Sequence, residues 1–393
     1  MYYRIAKVIL YSQVTLPSFQ NFIYEPEEKT SINAELKVTL SSELPPEGSE
    51  VISDYIAQRK TENGWFLHHA ARKYSGLLVN PDYTEMRLVR NYPELVGLDL
   101  EHEKMPLSEE IEKAVEKLAA GSTEEGLIRM AIECYLARQG YVSLHSACIE
   151  MEGEAYAFSG PSGTGKSTRA NAWMDAFEDA ELVSGDRPLI DVRNLEVYGV
   201  PWDGKEQCYR NVHYPLKAIF EVRRMEADTV YIREMGFEQR RKLLLQQCFL
   251  PMWDTETAVI QMMNIAKLAS SANILRAFCG RRPEDAAALK KVFDSNQYKK
   301  EEPDMKAKSG FVLRNIVGEK ILMPTGDNIG KFKGTILMND VSAFVWEKLQ
   351  NPMSRNDLLA AILDEFEVEE SVAAADLDAL LAKLNEYEVI END

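Results

Sequence analysis

The sequence predicts an α+β chain of several modules, built around a mixed, largely antiparallel sheet that carries a phosphate-binding loop. Three observations predict it. The segment 159–168 reads SGPSGTGKST, with a short apolar run before it and a helical pattern after it. Short strand-like runs crowd both sides of this loop, where a parallel-sheet nucleotide-binding protein would alternate strands with crossover helices. A charged stretch at 296–310 then sets off a final, helix-rich module. At 393 residues and 45% hydrophobic content the chain can form two or three domains with sizeable cores.

Residues 1–104 read as a mostly β domain. YRIAKVILY, ELKVTL, GWFLHH and EMRLVR are strand-like runs split by Pro, Gly and Asn. His68, His69 and His102 stand at no metal-ligand spacing and read as packed or solvated side chains. Residues 105–295 form the core module, opening with helical patterns in PLSEEIEKAVEKLAAG and STEEGLIRMAIECYLARQG. Ser122 and Glu125 make a capping-box pattern for the second helix, and Gly140 ends it. YVSLHSACIEM and EAYAF flank Glu152-Gly153, which predicts a hairpin feeding the loop. LIDV, EVYGV and PLKAIFEV add strands. ETAVIQMMNIAKLASSANILRAF and PEDAAALKKVFD return to helical spacing, the latter with Pro283 in its first turn.

Residues 296–310 carry many charges, one Pro and almost no large apolar side chains, so they read as a linker. Residues 311–393 then predict two paired strands around Gly318, three helices and a last short strand. Asn339 or Asp340 caps the first helix, and Ser354 with Asp357 forms a capping box for the second.

The loop pattern has direct chemistry. Gly160, Gly163 and Gly165 allow backbone turns that a Cβ forbids, so several N–H groups can face one anion. Pro161, Ser162, Thr164 and Thr168 complete the cradle. A helix opening at Lys166 adds its positive dipole end. Lys166 can reach terminal phosphates, and the Ser167 hydroxyl can bind Mg²⁺. Asp186, in ELVSGDRPLI, is the first acid placed to share that metal. Arg187 and Lys205 are candidate contacts for substrate or phosphate. Trp202 reads as a packing residue.

Charge and composition exclude other classes. A net charge of −18 opposes binding to nucleic acid and to anionic membranes. There is no run of about 18 apolar residues to span a bilayer. MYYRIAKVILYSQ lacks the apolar core and cleavage site of a signal peptide. Five cysteines without a CxxC pair read as reduced thiols, which places the chain in the cytoplasm.

The middle of the chain, about 125–295, resembles the HPr kinase family, whose nucleotide core is related to that of ATP-dependent phosphoenolpyruvate carboxykinase. LHSACIEMEGEAYAFSG, GPSGTGKST, ELVSGDRPLI and VYGVPWDGKE followed by YPLKAIFEV carry the resemblance, in that order. It implies a kinase core in which Ser167 and Asp186 hold Mg²⁺, His145 lies close to the phosphates, and the acceptor is a serine hydroxyl of a protein. HPr kinases usually show two adjacent Asp residues; this chain has Gly185-Asp186. The last module resembles PqqD-like proteins, the winged-helix-like peptide-recognition modules of ribosomal-peptide modification. LRNIVGEKILMP, GTILMNDVSAFVWEKL and the two helices after it carry that match. The resemblance implies that a peptide, such as a ribosomal peptide precursor, adds as a strand beside the small sheet, with its edge expected within 311–323 and one of the last two helices facing it.

The combined expectation is an ATP- and Mg²⁺-dependent phosphotransferase acting on a hydroxyl of a recruited peptide or protein. Lys166 holds phosphate, and Asp186 or His145 orients or deprotonates the acceptor. GTP in place of ATP stays open, as does self-association. Two other readings remain: a non-catalytic nucleotide-binding adaptor that presents peptides, and a small-molecule kinase regulated by its last module.

Overall fold

The computed structural model describes residues 1–26, 36–41, 50–51, 56–69, 75–90, 122–202, 208–224, 230–299, 305–329, 332, 335–351 and 353–392. The helix expected at 106–121, the boundary expected at 104, His102 and Lys205 lie outside these residues. The chain forms two compact units, one of residues 1–222, 235–276 and 281–287, the other of 223–234, 277–280 and 288–393.

The first unit opens with eight strands: β1 (Tyr2–Ile5), β2 (Val8–Ser12), β3 (Leu36–Ser41), β4 (Glu50–Val51), β5 (Ile56–Thr61), β6 (Gly64–His69), β7 (Ser75–Val79) and β8 (Glu85–Arg90). They form one sheet in the order β1-β2-β3-β8-β7-β6-β5-β4. Burial alternates along β2, as expected for a sheet with one face on a core. That core is shared: Tyr3, Leu10 and Phe19 belong to the same apolar cluster as Ile128 and Ile132 of the helix Ser122–Arg138, and as Trp202. Glu125 turns toward the first strands, where its carboxylate accepts from Ser18 Oγ at 2.8 Å. His68 is buried and stacks on Phe66, the packed reading rather than a ligand.

The second sheet holds β9 (Tyr141–Ser143), β10 (Ser146–Met151), β11 (Glu154–Ser159), β12 (Glu181–Ser184), β13 (Leu189–Asp191), β14 (Glu196–Tyr198) and β15 (His213–Arg224). Its order is β12-β10-β11-β15-β14-β13-β9, with β17 (Ile274–Cys279) paired to β15 and to β16 (Tyr231–Glu234). The hairpin β10–β11 turns at Glu152 and Gly153, both at positive φ, 55° and 78°. That is the two-residue turn whose twist matches a hairpin. β11 and β15 run parallel, while β10 pairs antiparallel with both neighbours. The sheet is mixed, as the sequence predicts.

Two elements around this sheet differ from the sequence reading. The helical pattern drawn through 256–278 divides into a helix, Thr255–Ser271, and the strand β17. All six residues of β17 are buried, so it has no alternation to distinguish it from a buried helical face. A helix at Phe237–Gln247 was not anticipated; only Leu243, Leu244 and Gln247 of it are buried.

The second unit contains β18 (Met305–Ala307), β19 (Phe311–Ile316), β20 (Glu319–Pro324), β21 (Ile336–Met338) and β22 (Ile390–Asn392). The stretch read as a linker therefore holds a strand, because Met305–Ala307 pairs antiparallel with the last strand. β19, β20 and β21 make a small antiparallel sheet, with Val317 and Gly318 turning its hairpin at positive φ. Helices Asp340–Lys348, Arg355–Glu365 and Glu370–Glu386 cover it. Asn339 caps the first through Ser342 N–H at 2.8 Å, and Ser354 caps the second through Asp357 N–H at 3.2 Å. Trp346, Leu358, Ile362 and Leu377 meet in one core beneath them. Among the described residues no helix is long and apolar enough to cross a membrane.

Candidate functional site

β11 ends at Ser159, and six residues separate it from the helix Lys166–Ala176. The loop between them owes its path to glycine. Gly160 sits at φ 150° and Gly165 at φ 87°. Gly165 is the residue preceding the helix, and no side chain caps its first turn. The opening N–H groups of that helix therefore face the cleft without a side-chain acceptor at the cap. A Cβ at Gly165 would also come within 2.7 Å of Arg169 Nη1. Arg169 is buried beneath the loop and donates to the Thr164 carbonyl at 3.0 Å. The Thr164 hydroxyl donates to the Pro161 carbonyl at 2.8 Å. The loop thus has a fixed shape before any anion enters.

Lys166 Nζ donates to the carbonyls of Gly160 and Pro161 at 3.0 and 3.1 Å. With His145, Ser162, Ser167 and Asp186 it lines a cleft of about 480 Å³. His145 stands just before β10, held through backbone bonds: its N–H donates to Gln247 O at 2.8 Å, and its carbonyl accepts from Ser159 Oγ at 3.0 Å. Its Nε2 lies 3.8 Å from Asp186 Oδ1. Burial pushes the imidazole below its ordinary range, the Lys166 cation acts the same way, and Asp186 opposes both. Burial also lowers Lys166, again against Asp186.

The turn carrying Asp186 is held by its own backbone. Ser184 Oγ donates to the Asp186 carbonyl at 2.8 Å. Trp202 Nε1 donates to the Arg187 carbonyl at 3.3 Å, so the packing residue of the sequence reading also steadies the acid turn. Arg187 adopts φ 53°, a left-handed conformation costing about 1–3 kcal/mol for a non-glycine residue, held here by its neighbours. Asp186 Oδ1 is buried and has no hydrogen-bond partner among the described residues. A buried carboxylate oxygen in that state suits a cation or a donor arriving with a ligand.

The structure thus brings His145, Lys166, Ser167 and Asp186 to one cleft. Arg187 is not among the lining residues, but its charge acts on both His145 and Lys166. Arg281 also lines the cleft and was missed by the sequence reading. Its only signal there is a pair of arginines directly ahead of Pro283.

A second candidate site lies in the other unit. A groove of about 610 Å³ runs between β21 and the helix Glu370–Glu386. Ile336, Leu337, Val341, Ile362 and Leu380 supply its apolar lining, with Glu319 and Asp376 among its polar residues. β21 is an end strand of its small sheet. β19, inside the expected 311–323 range, is the other end strand, and the larger groove walled by the last helix lies along β21.

Residues 319–390 match the family model of coenzyme PQQ synthesis protein D (PqqD). The second unit carries a PqqD-like domain. Two solved structures are similar to part of the chain. A lasso peptide synthetase B1 complexed with the leader peptide is 20% identical, over 22% of this chain and 98% of that chain, with a TM-score of 0.20. TbiB1 in complex with the TbiA(beta) leader peptide is 21% identical, over 22% of this chain and 94% of that chain, with a TM-score of 0.19. No curated protein matches the chain. None of these matches identifies the fold of the loop-bearing core.

Proposed function

We propose that this chain transfers the γ-phosphoryl group of ATP to a hydroxyl, serine foremost, on a peptide held by its PqqD-like domain. The observation that carries the reading is the single cleft shared by the phosphate loop, Lys166, Ser167, Asp186 and His145. The loop amides and Lys166 bind the phosphates. Ser167 and Asp186 would hold a Mg²⁺ ion, which commonly takes only one or two protein carboxylates. The metal, when bound, neutralises charge on the β- and γ-phosphates. The acceptor oxygen forms a bond to the γ-phosphorus as the bond to the β–γ bridging oxygen breaks, and ADP leaves. The acceptor's proton passes to the His145–Asp186 pair. One acid beside the loop is enough where positioning and charge neutralisation provide most of the acceleration.

In the PqqD-like domain, an extended leader peptide of a ribosomally made precursor would pair with β21 and place side chains against the helix Glu370–Glu386. Tethering raises the local concentration of the acceptor.

The test is incubation with Mg²⁺ and γ-labelled ATP, with and without peptides encoded beside the gene, followed by mass. The expected result is one added phosphate on a peptide. Lys166→Ala should lower the transfer rate about 10²–10³-fold, the loss typical of removing one group that stabilises transition-state charge. Tight ATP binding with no transfer would replace this reading by the adaptor. Phosphate on a small metabolite, with no peptide needed, would replace it by a small-molecule kinase.

A further inference from the structure

Resting on the nucleotide reading, we infer that Arg281 is a phosphate-tail ligand of the cleft, a residue that holds the polyphosphate together with the loop's own lysine. Arg281 lies in the turn between β17 and the helix Pro283–Asp294, far in sequence from the loop. Its Nε stands 3.7 Å from the point where a Cβ on Gly165 would be, so the guanidinium lies directly against the loop. The side chain is exposed and lines the cleft with Lys166, Ser167 and Asp186.

Its neighbour has a different task. Arg282 is bound to Asp285 through its backbone N–H at 2.9 Å and its guanidinium at 3.2 and 3.1 Å. Asp285 is buried, so this pairing fixes the turn and the start of the helix. Arg281 is thereby presented from a rigid base.

The loop's own two cations are engaged in holding it. Arg169 donates to the Thr164 carbonyl, and Lys166 to the carbonyls of Gly160 and Pro161. Arg281 offers a planar fork of donors, which matches phosphate oxygens two at a time. In a chain of net charge −18, a polyphosphate needs such a local concentration of cations.

The experiment measures binding of Mg-ATP and of inorganic tripolyphosphate to the full chain by calorimetry, for wild type, Arg281→Gln and Arg281→Lys. Arg281→Gln should weaken both ligands about tenfold or more, since both present the same tail. Arg281→Lys should recover part of that loss, as a point charge without the fork. Thermal melting should be unchanged, because the side chain is exposed. Loss of ATP affinity with tripolyphosphate affinity intact would mean a contact to base or sugar and would overturn the inference. Unchanged affinity for both ligands would also overturn it while leaving the nucleotide reading intact. Wild-type protein that binds neither ligand would overturn both.

Discussion

The loop cleft and the β21 groove are built on opposite principles. The cleft is made of backbone: glycines at positive φ, N–H groups at a helix start, and carbonyls that hold Lys166 in place. Its charged side chains are few, and the turn that carries one of them is fixed by the bond from Ser184 Oγ to the Asp186 carbonyl. The groove is made of side chains, with Leu337, Val341, Ile362 and Leu380 forming its lining. A backbone site tolerates little change of residue type, whereas an apolar groove can accept many hydrophobic side chains of similar volume. On the proposed reading the difference suits the ligands: a phosphate tail is the same in every encounter, while a leader peptide varies.

The comparison can be broken most sharply at Lys166. Lys166→Ala, expected to reduce transfer by about two to three orders of magnitude, should leave peptide affinity unchanged. If peptide binding fell together with transfer, the two sites would not be separable functions. The converse variant is Leu337→Asp. Leu337 is 63% exposed, so the replacement should not unfold the domain. It places a carboxylate in an apolar groove that already carries Glu319 and Asp376. Losing a buried leucine contact is worth about 1.5–3 kcal/mol, or roughly ten- to a hundred-fold in Kd for the leader peptide. Titration of labelled peptide checks this, and ATP affinity should not move. Unchanged peptide affinity would remove the groove from the reading.

These two sites were not equally legible in the sequence. The loop was legible because its spacing is itself the mechanism: Gly160, Gly165, Lys166 and Ser167 are four positions of one turn. The hairpin before it was legible from Glu152-Gly153. Arg281 was hidden because its role depends on where β17 ends, and β17 itself was read as part of a helix. The groove was hidden for a related reason. ILM at 336–338 is three residues long, too short to show a period, and lies directly against the cap Asn339. The side chains that line the groove have the same helical spacing as those that fill the core, so only the fold separates Leu380, which lines the groove, from the fully packed Leu384.

Further from either site, Asp191 tests how far the loop-bearing sheet depends on buried charge. Its carboxylate is fully buried at the end of β13 and accepts from Arg193 N–H at 3.0 Å and from the Arg193 guanidinium at 2.8 Å through each of two nitrogens. Burial alone would raise its pKa; the Arg193 bonds outweigh it and hold the group below the ordinary aspartate value. A depressed folded-state pKa means stability that is complete above the unfolded value and is lost as pH falls through the folded one. Asp191→Asn should therefore destabilise the first unit by about 1–3 kcal/mol at neutral pH and flatten its acid-denaturation curve below the ordinary carboxylate range. An unchanged acid limb in denaturant titrations would show that this pair does not set it.

The smallest expected effect separates stability from recognition within the PqqD-like domain. Ser354 caps the helix Arg355–Glu365 through the Asp357 N–H, and Ile362 of that helix belongs both to the core and to the groove lining. Ser354→Ala removes one cap, worth about 1 kcal/mol. In a domain of this size that lowers the melting temperature by about 4–8 °C when the domain melts on its own. At 25 °C the folded population is nearly unchanged, so leader-peptide affinity should shift less than about twofold. Leu337→Asp should do the reverse, with melting unchanged and affinity lost. Measuring melting and peptide titration on both variants gives a crossed pair of outcomes. If Ser354→Ala weakened the peptide as much as Leu337→Asp does, the order of the second helix, and not the chemistry of the β21 edge, would govern recognition.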